Sequence, residues 1–348
     1  MPLRGNFAAE EAILSGGMSR SHSTAVTPEA GLSPRARIVA ERFARFRTAD
    51  NVAFFDALAE HFCSLHDDPC LDMYFEYAVT ANERGRGLAD RVARHVPLSG
   101  RRWRRPRVLD VGCAYGGPLV AFAERGARVT GIDVNERLLA LAQVNLRERG
   151  LDAHLVHGDA TAAHPSFRGA FDVVVANDVV EHVPRLETFL QNLAGWLTPR
   201  GAVYLEIPNG ACPDFVLRDG HHRLFGITLL DFDTARDYYS RRVTYGEYDT
   251  YNYLDFEGYS RLFEACGLSL TLLPETLERV SERGLEASLA SLREGREAGL
   301  ETVPAEQRSR VADAVDAYFQ RVAAAPPGPN RLRDYGAGFW RALARRRT

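Results

Sequence analysis

Five short β-branched runs, "RVLDVG", "ARVTGID", "AHLVHGD", "FDVVVAND" and "GAVYLEIPN", lie between residues 106 and 209. Amphipathic stretches such as "ERLLALAQVNLRERG" and "RLETFLQNLAGWL" separate them. Strands kept apart by helices cannot pair as hairpins. They run parallel through crossover helices, and a parallel sheet is covered on both faces, which explains why the runs are apolar almost throughout. Right-handed crossovers then make an α/β, doubly wound sandwich. "LSLTLL" (268–273) reads as a further strand, and "RDYGAGFWRALARR" as a closing strand in preference to a short helix.

Around this core the chain divides by pattern. Residues 1–33 mix Gly, Ser, Thr and Pro without periodicity and are expected to be flexible. Residues 34–100 form an N-terminal helical cap: Val39, Phe43 and Phe46 share one helical face, Phe55, Leu58, Phe62 and Leu65 another, and a third helical pattern spans 73–96. The core occupies 101–274, with an insertion at about 210–256 where the alternation lapses. Two long helical patterns at 275–299 and 304–323, then "APPGPN" and the closing element, make a C-terminal extension over 275–348.

Composition narrows the class. With 45% hydrophobic and 26% charged residues the chain is an ordinary globular one. No apolar run approaches the roughly 18 residues of a membrane span, and "MPLRGNFAAEEAILSGG" lacks the apolar centre of a secretory signal. The five cysteines are scattered without C-x-x-C spacing, as for reduced thiols in a cytoplasmic protein. All 43 basic residues are arginine, and the net charge of −3 gives no footprint for nucleic acid. The basic run "RRWRRPR" (101–107) reads as a solvated lead-in to the first strand.

Chemistry enters with "VLDVGCAYGGPLVAF" (108–122). Gly112 and Gly116 frame a tight turn, Pro118 suits the first turn of a helix, and Gly126 suits its end. Such a helix N-terminus presents backbone N–H groups to a ligand in the crevice. Asp133 closes the next strand, 23 residues after Asp110, where a carboxylate suits ribose hydroxyls; the competing reading makes Asp133 a helix cap. Ala114 stands where a dinucleotide-binding loop needs its second glycine, which counts against NAD or FAD.

"VLDVGCAYG", "GID", "GDA" and "NDVVEHV", in that order, resemble the motifs of class I S-adenosylmethionine-dependent methyltransferases, especially the ubiquinone-type and natural-product small-molecule subgroup. The resemblance is strong over about 107–210, weakens through 211–348 and says little about 1–70. It implies a mostly parallel seven-stranded sheet with helices on both faces. It implies S-adenosylmethionine as cofactor and S-adenosylhomocysteine as product. Asp110, Gly112, Cys113 and Gly116 would then surround the amino-acid tail, and Asn177 would meet its amine through the backbone. Asp133 would take the ribose, Val134 and Ala160 would lie against the adenine, and Asp159 would accept from its amine. Arg84 is a candidate partner for the methionine carboxylate, the alternative being a surface charge.

A hydroxyl or ammonium acceptor must lose a proton, so a base near the methyl is useful. His182 and the adjacent pair His221 and His222 are the candidates, with the pair preferred and packing beside the cofactor the alternative for His182. Seven of thirteen tyrosines fall in 238–259. Of these, Tyr238, Tyr239, Tyr251 and Tyr253 are candidates to wall an acceptor pocket, against an aromatic strand pair or a dimer contact. The N-terminal helices and the 275–323 pair are expected to close over that pocket. No H-E-x-x-H or Cys/His cluster is present, so no metal is expected.

The reading is therefore a methyltransferase of a small metabolite, acting on oxygen or nitrogen, in specialised metabolism. It needs no nucleic acid or membrane and works as a monomer or homodimer. A macromolecular acceptor is disfavoured by "NDVV" in place of an N-P-P-Y-type motif. A non-catalytic cofactor sensor and an NAD-dependent oxidoreductase complete the alternatives.

Overall fold

The computed structural model describes residues 34–65, 71–96, 105–243 and 246–347. The segment 1–33 and the arginines at 101–104 lie outside them. Strands β1 (Arg107–Val111), β2 (Arg128–Asp133), β3 (His154–His157), β4 (Phe171–Asn177), β5 (Leu197–Pro208), β6 (Leu268–Leu272) and β7 (Phe339–Arg346) form one sheet. Its order is β3-β2-β1-β4-β5-β7-β6. β1 to β5 pair in parallel, while β7 enters antiparallel between β5 and β6. The sheet is thus doubly wound and mostly parallel, as the alternation requires, and the closing segment is a strand.

Successive residues of the central strands serve two cores, as the period of two dictates. Leu109, Val111, Val174 and Ala176 pack with helices Leu186–Trp196 and Phe256–Ala265. Val108, Val173 and Val175 pack on the other face with helices Ala81–His95, Gly117–Glu124 and Glu136–Glu148.

The pattern at 73–96 is two helices, Leu71–Val79 and Ala81–His95, not one. At the break the Thr80 hydroxyl donates to the Glu76 carbonyl, a back-bond that competes with continuing the helix. The second of the two belongs to the sheet rather than to the cap. Two glycines allow it: a Cβ on Gly85 would lie 2.3 Å from the backbone of Gly117, and one on Gly117 would lie 2.0 Å from the Ala81 carbonyl oxygen. The helices before it pack separately, through Phe43, Phe55, Phe62 and Phe75, onto Tyr115 and Leu141.

The insertion carries helices Pro213–Leu217 and Phe232–Arg242, with irregular backbone and no strand among the described residues 246–255. Long helices Glu282–Thr302 and Ala305–Ala324 share a third core with it, through Val216, Leu292, Val311 and Tyr318. Their apolar stripes are spent on the insertion. They buttress it from behind and do not close over the pocket, contrary to the sequence expectation. No described helix is long and apolar enough to cross a membrane.

Candidate functional site

The loop after β1 is shaped by positive-φ residues. Gly112 (φ 67°) and Gly116 (φ 76°) lie in the left-handed region, and so does Ala114 (φ 41°), where a side chain is strained. Space is as restrictive as conformation: a Cβ on Gly112 would meet Val179 Cγ2 at 2.8 Å, and one on Gly116 would meet Ala142 Cβ at 2.9 Å. Gly116 is the N-cap of helix Gly117–Glu124, whose first turn contains Pro118. The Ala114 N–H donates to Asp133 Oδ2 at 2.9 Å, and the Asn135 N–H donates to Asp133 Oδ1 at 2.8 Å. Asn135 itself caps the following helix, accepting from the Arg137 and Leu138 amides. Asp133 is therefore not the cap. It ties the end of β2 to the loop after β1.

Asp110, at the end of β1, is 2% exposed, and its Oδ2 has no hydrogen-bond partner among the described residues. Burial first, and Asp133 second, push its carboxyl well above the usual range. A positive group beside it would reverse that penalty. Burial first, then the neighbouring Asp110 and Asp133 carboxylates, raise the Cys113 thiol. Val134 is 67% exposed, an apolar side chain in solvent beside the Asp133 rim. Asp159, half-exposed, accepts from the Thr161 amide and hydroxyl with Arg185 at 3.6 Å. Burial raises its carboxyl, but these contacts prevail and hold it below the ordinary value. Ala160 is half-buried, and its carbonyl accepts from Asn192. Asn177 donates through Nδ2 to Asp178 Oδ2 at 2.9 Å.

Arg84 stacks over the Tyr77 ring at 3.3 Å and donates to the Tyr77 carbonyl and the Thr80 hydroxyl. Among the described residues no carboxylate pairs with it.

These features fit a sulfonium-bearing nucleoside amino acid. The buried, partnerless Asp110 oxygen suits its cationic portion, the half-buried Arg84 its carboxylate, the Asp133 rim its ribose and Val134 a flat heterocycle. The glycine cradle leaves the space that a Cβ would fill.

The turn after β4 joins this loop to a second cluster. Asp178 opens it with φ 53°, Val179 abuts Gly112, and the 3-10 turn Val180–His182 follows. The Tyr77 hydroxyl donates to Asp178 Oδ2 at 3.1 Å. Burial, then Glu181 and Glu206, raise the Asp178 carboxyl to about 7. His182 reaches a cavity of about 460 Å³ together with His221, His222 and Tyr239 from the insertion, while Met73 and Tyr74 face them from the N-terminal helices. All three histidines singled out in the sequence therefore converge, with ring centroids 4.8 Å apart for His182 and His221 and 6.1 Å for His221 and His222.

Carboxylates that sequence reasoning missed organise the cluster. Asp219 accepts from the amides of His221 and His222 at 3.0 and 2.6 Å, which shapes the loop. Glu181 is fully buried, 3.5 Å from His221 Nε2 and 3.8 Å from His182 Nε2. Asp249 lies 3.6 Å from His182 Nδ1 and 3.7 Å from His222 Nε2. Burial alone would lower His221, but Asp219 and Glu181 hold it at about 10. For His222 burial prevails and lowers it. Its Nε2 is buried without a hydrogen-bond partner, and its ring packs on Tyr239 and Tyr248.

The candidate tyrosines divide. Tyr239 lines the cavity. Tyr238 is in the core shared with the helical pair, because it falls on the inner face of helix Phe232–Arg242. Tyr251 stacks on Phe232 at 4.6 Å, away from the cavity. Tyr253 stands behind His221, its hydroxyl 2.9 Å from Nδ1. Tyr245 lies outside the described residues.

The fold is that of a Rossmann-like α/β domain. Residues 109–205 match the family model of a methyltransferase domain. Curated relatives agree: the ubiquinone biosynthesis O-methyltransferase of Azoarcus sp. (strain BH72) is 40% identical over 118 residues, 33% of this chain and 47% of that protein. The enzyme of the same name from Maricaulis maris (strain MCS10) is 34% identical over 131 residues, 37% of this chain and 52% of that protein. The chain spans about half the length of these relatives. Among solved structures, the YcgJ protein of Bacillus subtilis is similar at 15% identity with a TM-score of 0.44, over 76% of this chain and all of that one. Residues 109–205 are thus a methyltransferase domain, in keeping with the resemblance that the motifs carry.

Proposed function

We propose that the protein transfers a methyl group from S-adenosylmethionine to a hydroxyl of a small metabolite. One observation carries this reading: the turn 178–183 touches the glycine loop at Val179 and lines the three-histidine cavity at His182. Donor and acceptor sites are therefore adjacent. When bound, the cofactor supplies an electrophilic methyl whose carbon–sulfur bond breaks as the acceptor's oxygen–carbon bond forms, the electron pair remaining on a neutral thioether sulfur. Asp110 and Arg84 would fix the amino-acid end, Asp133 the ribose, and Val134, Asp159 and Ala160 the adenine side. Holding acceptor and methyl in line supplies most of the acceleration in such a displacement. His222 lines the cavity and would receive the hydroxyl proton once its ring turns to expose Nε2, which is buried 3.7 Å from Asp249. Tyr239, Met73 and Tyr74 would wall the acceptor and exclude water.

A dedicated acceptor, as in specialised metabolism, is supported by the insertion and its helical buttress, which extend well beyond the matched residues 109–205. The test is transfer of isotope-labelled methyl into a host extract separated into small-molecule, protein and RNA fractions. Label among small molecules is expected, and mass analysis of the product distinguishes oxygen from nitrogen methylation. Label in protein or RNA would refute the substrate class. Cofactor binding with no label in any fraction would favour a sensor.

A further inference from the structure

We propose that Glu181, His182 and His221 bind a divalent first-row transition-metal ion, leaving coordination positions open toward the cavity. The donor atoms of these three residues lie within 4.8 Å of one another. Glu181 Oε1 is 3.5 Å from His221 Nε2 and 3.8 Å from His182 Nε2. Ligands about 2.1 Å from one ion stand roughly 3.0–3.4 Å apart in octahedral or tetrahedral arrangement, so small side-chain rotations close the site.

Two independent features point to a cation. Glu181 is 0% exposed, yet neither carboxylate oxygen accepts a hydrogen bond. Such a carboxylate needs positive charge beside it, which the imidazoles at 3.5 and 3.8 Å carry when protonated and a metal ion would replace. The second feature is the orientation of the imidazoles. His182 Nδ1 is 3.1 Å from the Asp249 carbonyl oxygen, and His221 Nδ1 is 2.9 Å from the Tyr253 hydroxyl and 3.4 Å from Asp219 Oδ1. Both rings therefore engage an outer partner through Nδ1 and turn Nε2 toward Glu181. That is the arrangement in which outer-shell carbonyls and carboxylates fix the tautomer of a ligating histidine.

Two imidazoles and one carboxylate suit zinc, cobalt, iron or manganese better than calcium or magnesium. Asp219 and Asp249 add further negative charge beside the site. A divalent ion there would lower the proton affinity of an acceptor oxygen bound to it. The ligands come from the turn after β4 and from the insertion, so the ion would also anchor the insertion to the core.

The test uses the purified full-length protein, stripped of metal and titrated with Co²⁺ or Zn²⁺ alone. One tight equivalent per chain is expected. Proton NMR of the Co²⁺ form should show two exchangeable, strongly shifted imidazole N–H signals, from the Nδ1–H of His182 and His221. Glu181→Gln and His221→Ala should each lose the tight equivalent while circular dichroism keeps the wild-type spectrum. Asp219→Asn should weaken binding by about ten- to a hundredfold through the outer shell. Absence of a tight equivalent, or of shifted imidazole signals in the wild-type Co²⁺ form, would overturn the proposal whatever the variants do. These readouts do not involve methyl transfer, so this inference and the proposed activity fail separately.

Discussion

Replacing Asp133 by asparagine tests the donor site at two levels, because its carboxylate serves the loop and, in the proposed complex, the ribose. Both oxygens already accept backbone amides, from Ala114 at 2.9 Å and Asn135 at 2.8 Å. Asparagine offers one acceptor, so one amide would face an NH₂ group and lose its partner. A part-buried donor left unsatisfied costs about 1–3 kcal/mol. Melting temperature falls by roughly 1–2 °C per kcal/mol in a chain of this length, so a drop of a few degrees is expected in the cofactor-free protein. In the complex, two ribose hydroxyls would exchange a charged acceptor for a neutral one, a loss of about 1–1.5 kcal/mol each. Together these predict S-adenosylhomocysteine binding weaker by roughly thirty- to a hundredfold. Thermal melting and isothermal titration calorimetry read the two effects separately. An affinity change under about threefold would refute the ribose assignment. An unchanged melt would refute the structural tie between Asp133 and the loop.

Three further outcomes follow from the same geometry. Arg84→Met should weaken S-adenosylhomocysteine by about tenfold or more yet leave 5′-methylthioadenosine, which lacks the carboxylate, unaffected. Equal losses for both ligands in a displacement assay would remove Arg84 from the amino-acid end. His222→Gln should lower turnover by about a hundredfold or more at unchanged S-adenosylhomocysteine affinity, and steady-state kinetics showing wild-type turnover would place the base elsewhere. Gly85→Ala should destabilise the protein in chemical denaturation, although alanine gains about 1 kcal/mol in helix propensity. The reason is the 2.3 Å approach to the Gly117 backbone, and a stabilised variant would contradict that packing.

What could be read from the chain alone follows from the range over which each cause acts. Strand–helix alternation is local, and so are the motifs ending β1, β2 and β4; the sheet and the positions of Asp110, Asp133 and Val134 were accordingly legible. The role of Thr80 was not, since nothing in the periodicity of 73–96 marks a hydroxyl that bonds backward and divides two helices between the cap and the sheet. Nor could the pattern at 275–323 say which surface would consume its apolar stripe; the insertion took it, and the pocket was left to Met73, Tyr74 and Tyr239.

The histidine cluster shows the same limit more sharply. A search for metal ligands by spacing finds residues one or two helical turns apart, whereas Glu181 and His221, 40 residues apart in the chain, are brought together by the docking of the insertion. The Glu181 carbonyl accepts from the amides of Tyr251 and Asn252, and the Asn252 side chain donates to the carbonyls of Val180 and Val183. The clasp that assembles the cluster is thus made largely of backbone groups, which any residue could supply and no motif would mark. Histidine and carboxylate at such separations acquire meaning only once that clasp is seen, and the same clasp holds the three-histidine cavity against the turn that touches the glycine loop.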